Sequence, residues 1–191
     1  MAFMETDQDR AMIGISTERV TLRPFDDGDA PETFAAITPG LTRFMNWEPP
    51  PSLEKFAEVW RSWLSAMNTG SELYFVIRAS QEFVGIAGLH GLGEDQPELG
   101  LWIKEAAQGN GYGQEAMAAL LAWASERFGP SAFKWPVAVD NAPSRRLAEK
   151  LDGVLVGTFD RPKYAGVLYQ VPASRVSCVR KADDGSPEDS N

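Results

Sequence analysis

The apolar positions of the chain follow two periods, and the switches between them mark out its elements. Val20-Thr21-Leu22-Arg23 alternates as a half-buried strand and stops at Pro24. Asp29 is placed to cap a short helix with Pro31 in its first turn and Phe34 and Ile37 turned inward. The stretch 41–51 closes on Glu48-Pro49-Pro50-Pro51, which cannot be helix. Ser52 then caps a helix whose Phe56, Val59, Trp60, Trp63, Leu64 and Met67 share one stripe, read as a core face. Three strands follow at 73–79, 82–89 and 98–103, with linkers short enough for antiparallel hairpins.

A helix over 114–128 puts Ala116, Met117, Leu120, Leu121, Ala124 and Phe128 on its buried stripe, and Gly129-Pro130 stops it. A strand at 133–139 carries an interior Pro136, which implies that its pairing is incomplete there. Asn141 and Pro143 suit the start of a last helix reaching about 151. Strands at 155–159 and 167–171 end the order. Residues 1–17 have no clear period and are expected as a loose arm, 18–176 as a single domain, and 177–191 as an acidic, disordered tail.

At 191 residues the chain can bury roughly 70% of its unfolded surface as one domain. No apolar run approaches the roughly 20 residues of a membrane span, and the first residues lack the basic and apolar regions of a signal peptide. Cys178 is the one cysteine, which suits a reducing cytoplasm and excludes an intrachain disulfide. With a single histidine beside it, a usual zinc site cannot be built, so no metal is expected. Net charge is −9, of which Asp183, Asp184, Glu188 and Asp189 supply four. That balance argues against nucleic acid and is compatible with a cationic partner.

The chemistry points to Gln108-Gly109-Asn110-Gly111-Tyr112-Gly113, between the strand at 98–103 and the helix after it. Three glycines in six residues let backbone N–H groups close around a bound group, and the helix start adds its own unpaired donors. Such a site takes an anion, and a phosphate or pyrophosphate fits best. The dinucleotide fingerprint would need glycine where Gln114 stands, and the ATPase loop would need a lysine that is absent.

Gln108, Gly111 and Gly113 instead supply a Gln-x-x-Gly-x-Gly pattern, which resembles the acetyl-CoA motif of the GNAT acetyltransferase superfamily. Thr21-Leu22-Arg23-Pro24-Phe25, Leu99-Gly100-Leu101-Trp102-Ile103 and Asn141-Ala142-Pro143-Ser144 are similar to the branch containing ribosomal-protein N-terminal acetyltransferases. The resemblance runs from about residue 18 to 174. It implies an α/β (α+β) GNAT fold: a mixed, mostly antiparallel sheet of six to seven strands, flanked by about four helices, with one splayed strand pair. Acetyl-CoA is then the co-substrate. Its pantetheine arm lies against the backbone of Leu101, Trp102 and Ile103, its pyrophosphate on Gln108, Gly109, Asn110, Gly111, Tyr112 and Gly113, and Asn141 and Ser144 stand near the thiol.

Transfer to an amine needs a neutral amine, a polarised carbonyl and a stabilised leaving sulfur. A backbone N–H of strand 98–103 can serve the carbonyl, and the resemblance gives the sulfur to Ser144. Many GNAT enzymes use a tyrosine on the last helix for that task, and 145–151 contain none. Glu98 is the first candidate base, sharing a strand face with Gly100 and Trp102 and acting through a water; His90 is the second. The acceptor cleft draws on Trp47, Glu48, Tyr74 and Trp102, which offer aromatic faces and a carboxylate for a cation.

A peptide α-amino group is about one-tenth neutral at pH 7, against about one part in 2,500 for a lysine amine. A chain with so little evidence of a strong base therefore favours an N-terminal α-amino acceptor, attacked directly in a ternary complex. A small-molecule amine (a polyamine, amino acid or aminoglycoside) is the alternative acceptor, and a non-catalytic CoA-binding module is the alternative class. Monomer and homodimer both stay open.

Overall fold

The computed structural model describes residues 12–173. Their strands are β1 (Ile15–Ser16), β2 (Val20–Pro24), β3 (Glu72–Ala79), β4 (Glu82–His90), β5 (Glu98–Ile103), β6 (Ala132–Ala138), β7 (Val154–Asp160) and β8 (Ala165–Pro172). The helices are α1 (Ala30–Ala35), α2 (Pro39–Thr42), α3 (Leu53–Asn68), α4 (Tyr112–Phe128) and α5 (Ala142–Lys150). All eight strands form one sheet in the order β1-β2-β3-β4-β5-β6-β8-β7, antiparallel except where β5 meets β6.

The α/β class and the mixed, mostly antiparallel sheet match expectation; the counts are higher by one element of each kind. The extra strand, β1, lies inside the segment expected as a loose arm. Ile15 pairs with Leu22, and its side chain is buried against the core, so two residues with no readable period are fixed by a neighbour. The extra helix, α2, is a single turn capped by Thr38 Oγ1 accepting from Leu41 N–H at 3.0 Å. The expected tail, 177–191, lies outside the described residues.

Two cores sandwich the sheet. On one face α4 buries Ala116, Met117, Leu120 and Leu121 against Leu73, Phe75, Leu99 and Phe133. On the other, Phe56 and Trp63 of α3 pack on Phe25, Val76, Phe83 and Ile86. Because strand side chains alternate, Leu99, Leu101 and Ile103 face α4, while Glu98, Gly100 and Trp102 face α3. Asp29 stands at the N-cap of α1 as expected but makes no side-chain bond to that helix; its carboxylate accepts instead from Asp26 N–H at 3.0 Å. Asp26 caps the preceding turn, and buried Asp29 pairs with Arg23 at 2.6 Å and Arg78 at 3.5 Å.

Among the described residues no helix is long and apolar enough to cross a membrane. None of their His, Cys, Asp and Glu side chains cluster as a metal site requires.

Candidate active site

β5 and β6 touch at the pair Glu98–Lys134 and then separate. Lys134 donates its N–H to Pro97 O at 2.9 Å, so Pro136, two residues on, aims its nitrogen at β5 as well. That nitrogen carries no hydrogen, and the pairing stops. Meanwhile β6 pairs fully with β8, Pro136 opposite Leu168. The expectation of incomplete pairing at Pro136 therefore holds on one side of the strand.

On the opposite lip, Lys104 donates to Val84 O at 2.8 Å, which fixes the alternation along β5. Glu98, Gly100 and Trp102 turn their amides to β4; Leu101 and Ile103 turn theirs into the gap. Ile103 O is taken by Gln108 Nε2 at 2.9 Å. Of the backbone expected to meet a ligand at 101–103, the gap thus receives Leu101 N–H and C=O and Ile103 N–H. Trp102 offers its ring alone.

Beyond the gap, a 3-10 turn (Glu105–Ala107) leads into the glycine loop. Gly109 and Gly111 both take a φ of +81°, a conformation that a side chain disfavours. Gly111 is the N-cap of α4 and has no side chain to satisfy the first-turn donors. The earliest intrahelical bonds run from Gln114 and Glu115 to Gly111 O at 3.1 and 3.2 Å, leaving Tyr112 and Gly113 ahead of them. An anionic group fits this end of the helix.

The loop is braced by its own Asn110 and, from behind, by residues that the motif does not include. Asn110 Nδ2 donates to Ala107 O and Gln108 O at 3.1 and 3.3 Å, so its side chain shapes the turn. Arg19 donates to Asn110 O at 3.1 Å and lies over the Tyr112 ring at 5.4 Å. Its Nε meets Glu115 Oε2 at 2.7 Å, and Thr17 Oγ1 donates to the other oxygen. Burial acts to raise the Glu115 pKa. The Thr17 hydroxyl and the Arg19 backbone and guanidinium together outweigh it and hold the carboxyl below its usual range.

Across the gap stands α5. Asn141 Oδ1 accepts from Ser144 N–H at 3.3 Å, so Asn141 is the cap, and Ser144 lines the cleft. Lys150 donates to Gln114 Oε1 at 3.3 Å and ties the end of α5 to the first turn of α4.

The floor on the α3 face is built by register. Glu72, His90 and Glu98 form one cross-strand row, and Tyr74, Gly88 and Gly100 the next. His90 Nδ1 is 3.2 Å from Glu72 Oε2. A Cβ on Gly88 or Gly100 would meet His90 Nε2 at 2.8 or 3.0 Å, so the imidazole occupies the space that the two glycines leave. Tyr74 donates its hydroxyl to the same Glu72 oxygen and stacks on Trp63 at 4.8 Å. Burial, reinforced by Glu72, pushes the Tyr74 pKa well above its ordinary value, so the phenol stays protonated. A smaller opening of about 500 Å³, lined by Ser71, Glu94 and Lys134, also reaches Glu72, His90 and Glu98.

Phe44 and Trp47 wall the acceptor side, with Val59 and Trp63 of α3. Glu48 does not offer a free carboxylate: Lys163, at the β7–β8 turn, pairs with it at 2.7 Å and donates to Thr42 O and Trp47 O at 3.2 and 3.1 Å. Val59 and Trp63, expected as core only, also line the cleft. One continuous cleft of about 1120 Å³ joins the glycine loop, the gap, Ser144, the His90–Glu98 floor and these walls. Its first-turn amides, glycine curvature and unpaired strand edge fit a pyrophosphate followed by an amide-bearing arm.

Sequence reasoning missed Glu72, Arg19, Arg43, Arg161 and Lys163. The first is set by a register shift; Arg19, Arg161 and Lys163 arrive from elements distant in sequence, and Arg43 sits on the same loop as Trp47 and Glu48.

Known proteins place this architecture. A search of curated proteins gives no match. Among solved structures, a RimL ribosomal L7/L12 α-N-protein acetyltransferase in complex with coenzyme A superposes with a TM-score of 0.76 at 19% identity, covering 84% of this chain and 98% of that one. The acetyltransferase that modifies the N-terminal serine of ribosomal protein L7/L12 from Salmonella typhimurium gives 0.75 at 18%, covering 85% and 99%. The spermidine N-acetyltransferase from Vibrio cholerae, with CoA and spermine, gives 0.71 at 17%, covering 82% and 97%. At these identities the likeness concerns the fold. The acetyltransferase (GNAT) domain model matches the sequence itself over residues 19–154, and the chain belongs to the GNAT acetyltransferase family.

Proposed function

We propose that this GNAT enzyme transfers the acetyl group of acetyl-CoA to the N-terminal α-amino group of a peptide or protein, by direct attack within a ternary complex. The observation that carries the reading is the single cleft. It runs from the glycine loop, past the Leu101 amide, to a histidine held by a carboxylate, and then out between aromatic walls. The pyrophosphate takes the amides of 109–113, and the pantetheine amides take the Leu101 and Ile103 edge.

Leu101 N–H is the donor nearest the gap for the carbonyl oxygen as charge develops on it. His90 accepts the proton that the attacking nitrogen must lose, with Glu72 fixing its ring and Nε2 turned over Gly100. Glu98, next to His90 in the row, orients the amine or its water. The N–C bond forms as the C–S bond breaks; the Ser144 hydroxyl, at the helix start, hydrogen-bonds the departing thiolate, which takes its proton from water. The proton held at His90 leaves by the small opening beside Glu94 and Lys134. A chain with one cysteine suits the cytoplasm as the place of reaction.

The test is release of free thiol from acetyl-CoA in the presence of peptides with free N-termini, N-blocked peptides containing lysine, polyamines and amino acids. Release with free N-termini alone is the expected result. Release with polyamines or amino acids alone overturns the acceptor, and tight cofactor binding with no release under any acceptor overturns the activity.

A further inference from the structure

The charges around the acceptor end of the cleft differ from those of the molecule as a whole. The chain is strongly acidic, yet this end is rimmed by cations. Arg43, on the 42–48 loop, and Arg161, at the β7–β8 turn, both line the cleft and are exposed. Among the described residues, neither has a carboxylate partner in a recorded ion pair; their guanidinium groups lie over Phe44 at 4.3 Å and Phe159 at 5.3 Å. The nearby carboxylate, Glu48, is neutralised by Lys163.

The clasp of Lys163 brings these cations together. Its bonds to Thr42 O, Trp47 O and Glu48 fasten the β7–β8 turn to the loop that carries Arg43. The turn itself is closed by Arg161 and Tyr164 through mutual backbone bonds of 3.0 and 3.3 Å. Two forked donors from distant parts of the sequence thus stand at one rim, and forked guanidinium donors suit carboxylates. Of the other cleft carboxylates, Glu98 is on the sheet floor, Glu105 accepts from Thr38 at 2.8 Å beside α2, and Asp140 is exposed just past the end of β6.

We infer that the acceptor is an N-terminal peptide with acidic side chains within its first few residues, its amine at the His90–Glu98 floor and its carboxylates at Arg43 and Arg161. This rests on the transferase reading above and names its substrate class. The floor–rim arrangement suits an extended chain, which advances about 3.3 Å per residue. Polycationic acceptors are repelled at the rim, which gives selectivity by an unfavourable contact as well as a favourable one.

The experiment compares kcat/KM for free-N-terminus peptides of equal length that carry Asp and Glu, Asn and Gln, or Lys at positions two to four, with spermidine and free glutamate as further arms. The acidic peptide is expected to exceed the amide peptide by about fivefold or more, and the advantage should shrink as salt is raised. The double variant Arg43→Gln/Arg161→Gln should erase the preference while the Kd for CoA, measured by titration calorimetry, is unchanged. The double variant Arg43→Glu/Arg161→Glu should reverse it toward the lysine peptide. Equal rates for acidic and amide peptides, or a preference for lysine peptides, spermidine or free glutamate, overturns this inference. Failure of every acceptor with CoA still bound overturns the transferase reading instead.

Discussion

Glu72 Oε2 and His90 Nδ1, 3.2 Å apart, set the direction of the one imidazole in the protein. The contact fixes Nδ1 on the carboxylate and leaves Nε2 over Gly88 and Gly100, beside the strand edge where the sheet opens. A histidine ring oriented through one nitrogen can exchange a proton at the other.

His90→Gln should therefore lower kcat by about 100-fold or more, with the Kd for CoA unchanged. Glu72→Gln should lower kcat less, because it removes an orienting partner and leaves the ring in place. Steady-state kinetics with calorimetric cofactor binding decides this. A fall for Glu98→Gln with none for His90→Gln would transfer the base role to Glu98.

Gly88→Ala tests the ring position without touching its chemistry. The new methyl group would meet Nε2 at 2.8 Å, and the imidazole is the flexible partner that yields. The melting temperature should move by no more than about 2 °C, while kcat falls by about tenfold or more if His90 is the proton acceptor proposed above, since displacing such a group by an ångström is costly.

Gly111→Glu places a side chain at a φ of +81° and a carboxylate beside the proposed pyrophosphate site. About 1 kcal/mol of strain is expected, together with at least a tenfold rise in the Kd for CoA, equivalent to about 1.4 kcal/mol. Gly111→Ala carries the strain without the charge. Denaturant unfolding and calorimetry read the two effects separately.

Acid should loosen the brace behind the loop. The Glu115 carboxyl is held below its usual pKa when folded, so its ionised form favours the folded state. That contribution is fully present above the unfolded value of about 4.3 and is lost as pH falls from there through the folded value. The stability difference between wild type and Glu115→Gln should be flat at neutral pH and narrow below about pH 4.3, as measured by denaturant titration.

Lys163→Met removes the clasp between the β7–β8 turn and the 42–48 loop. The KM for a peptide acceptor should rise by about threefold or more, as loss of a partly exposed ion pair with hydrogen bonds implies. The Kd for CoA, whose proposed site is at the other end of the cleft, should stay the same.

The sequence was legible where local rules act alone. The glycine loop, the α3 and α4 stripes, the Ser52 and Asn141 caps and the break at Pro136 each follow from a few adjacent residues. Glu72 was hidden by register. A two-residue turn at Ser80–Gln81 sets it opposite Leu89, and the bulge at Ile77/Arg78 moves it opposite His90. Nothing in the local pattern announces that bulge. Arg19 and Lys163 were hidden by distance: each acts on a loop from an element dozens of residues away, and no periodicity carries that information.

Pro136 has a consequence for how fast the enzyme loads. Since its ring denies the opposing strand a donor, the parted seam exists before any guest arrives and needs no unzipping to admit one. Capture of the carrier should therefore be a single-phase encounter, its observed rate climbing linearly with concentration and showing no plateau.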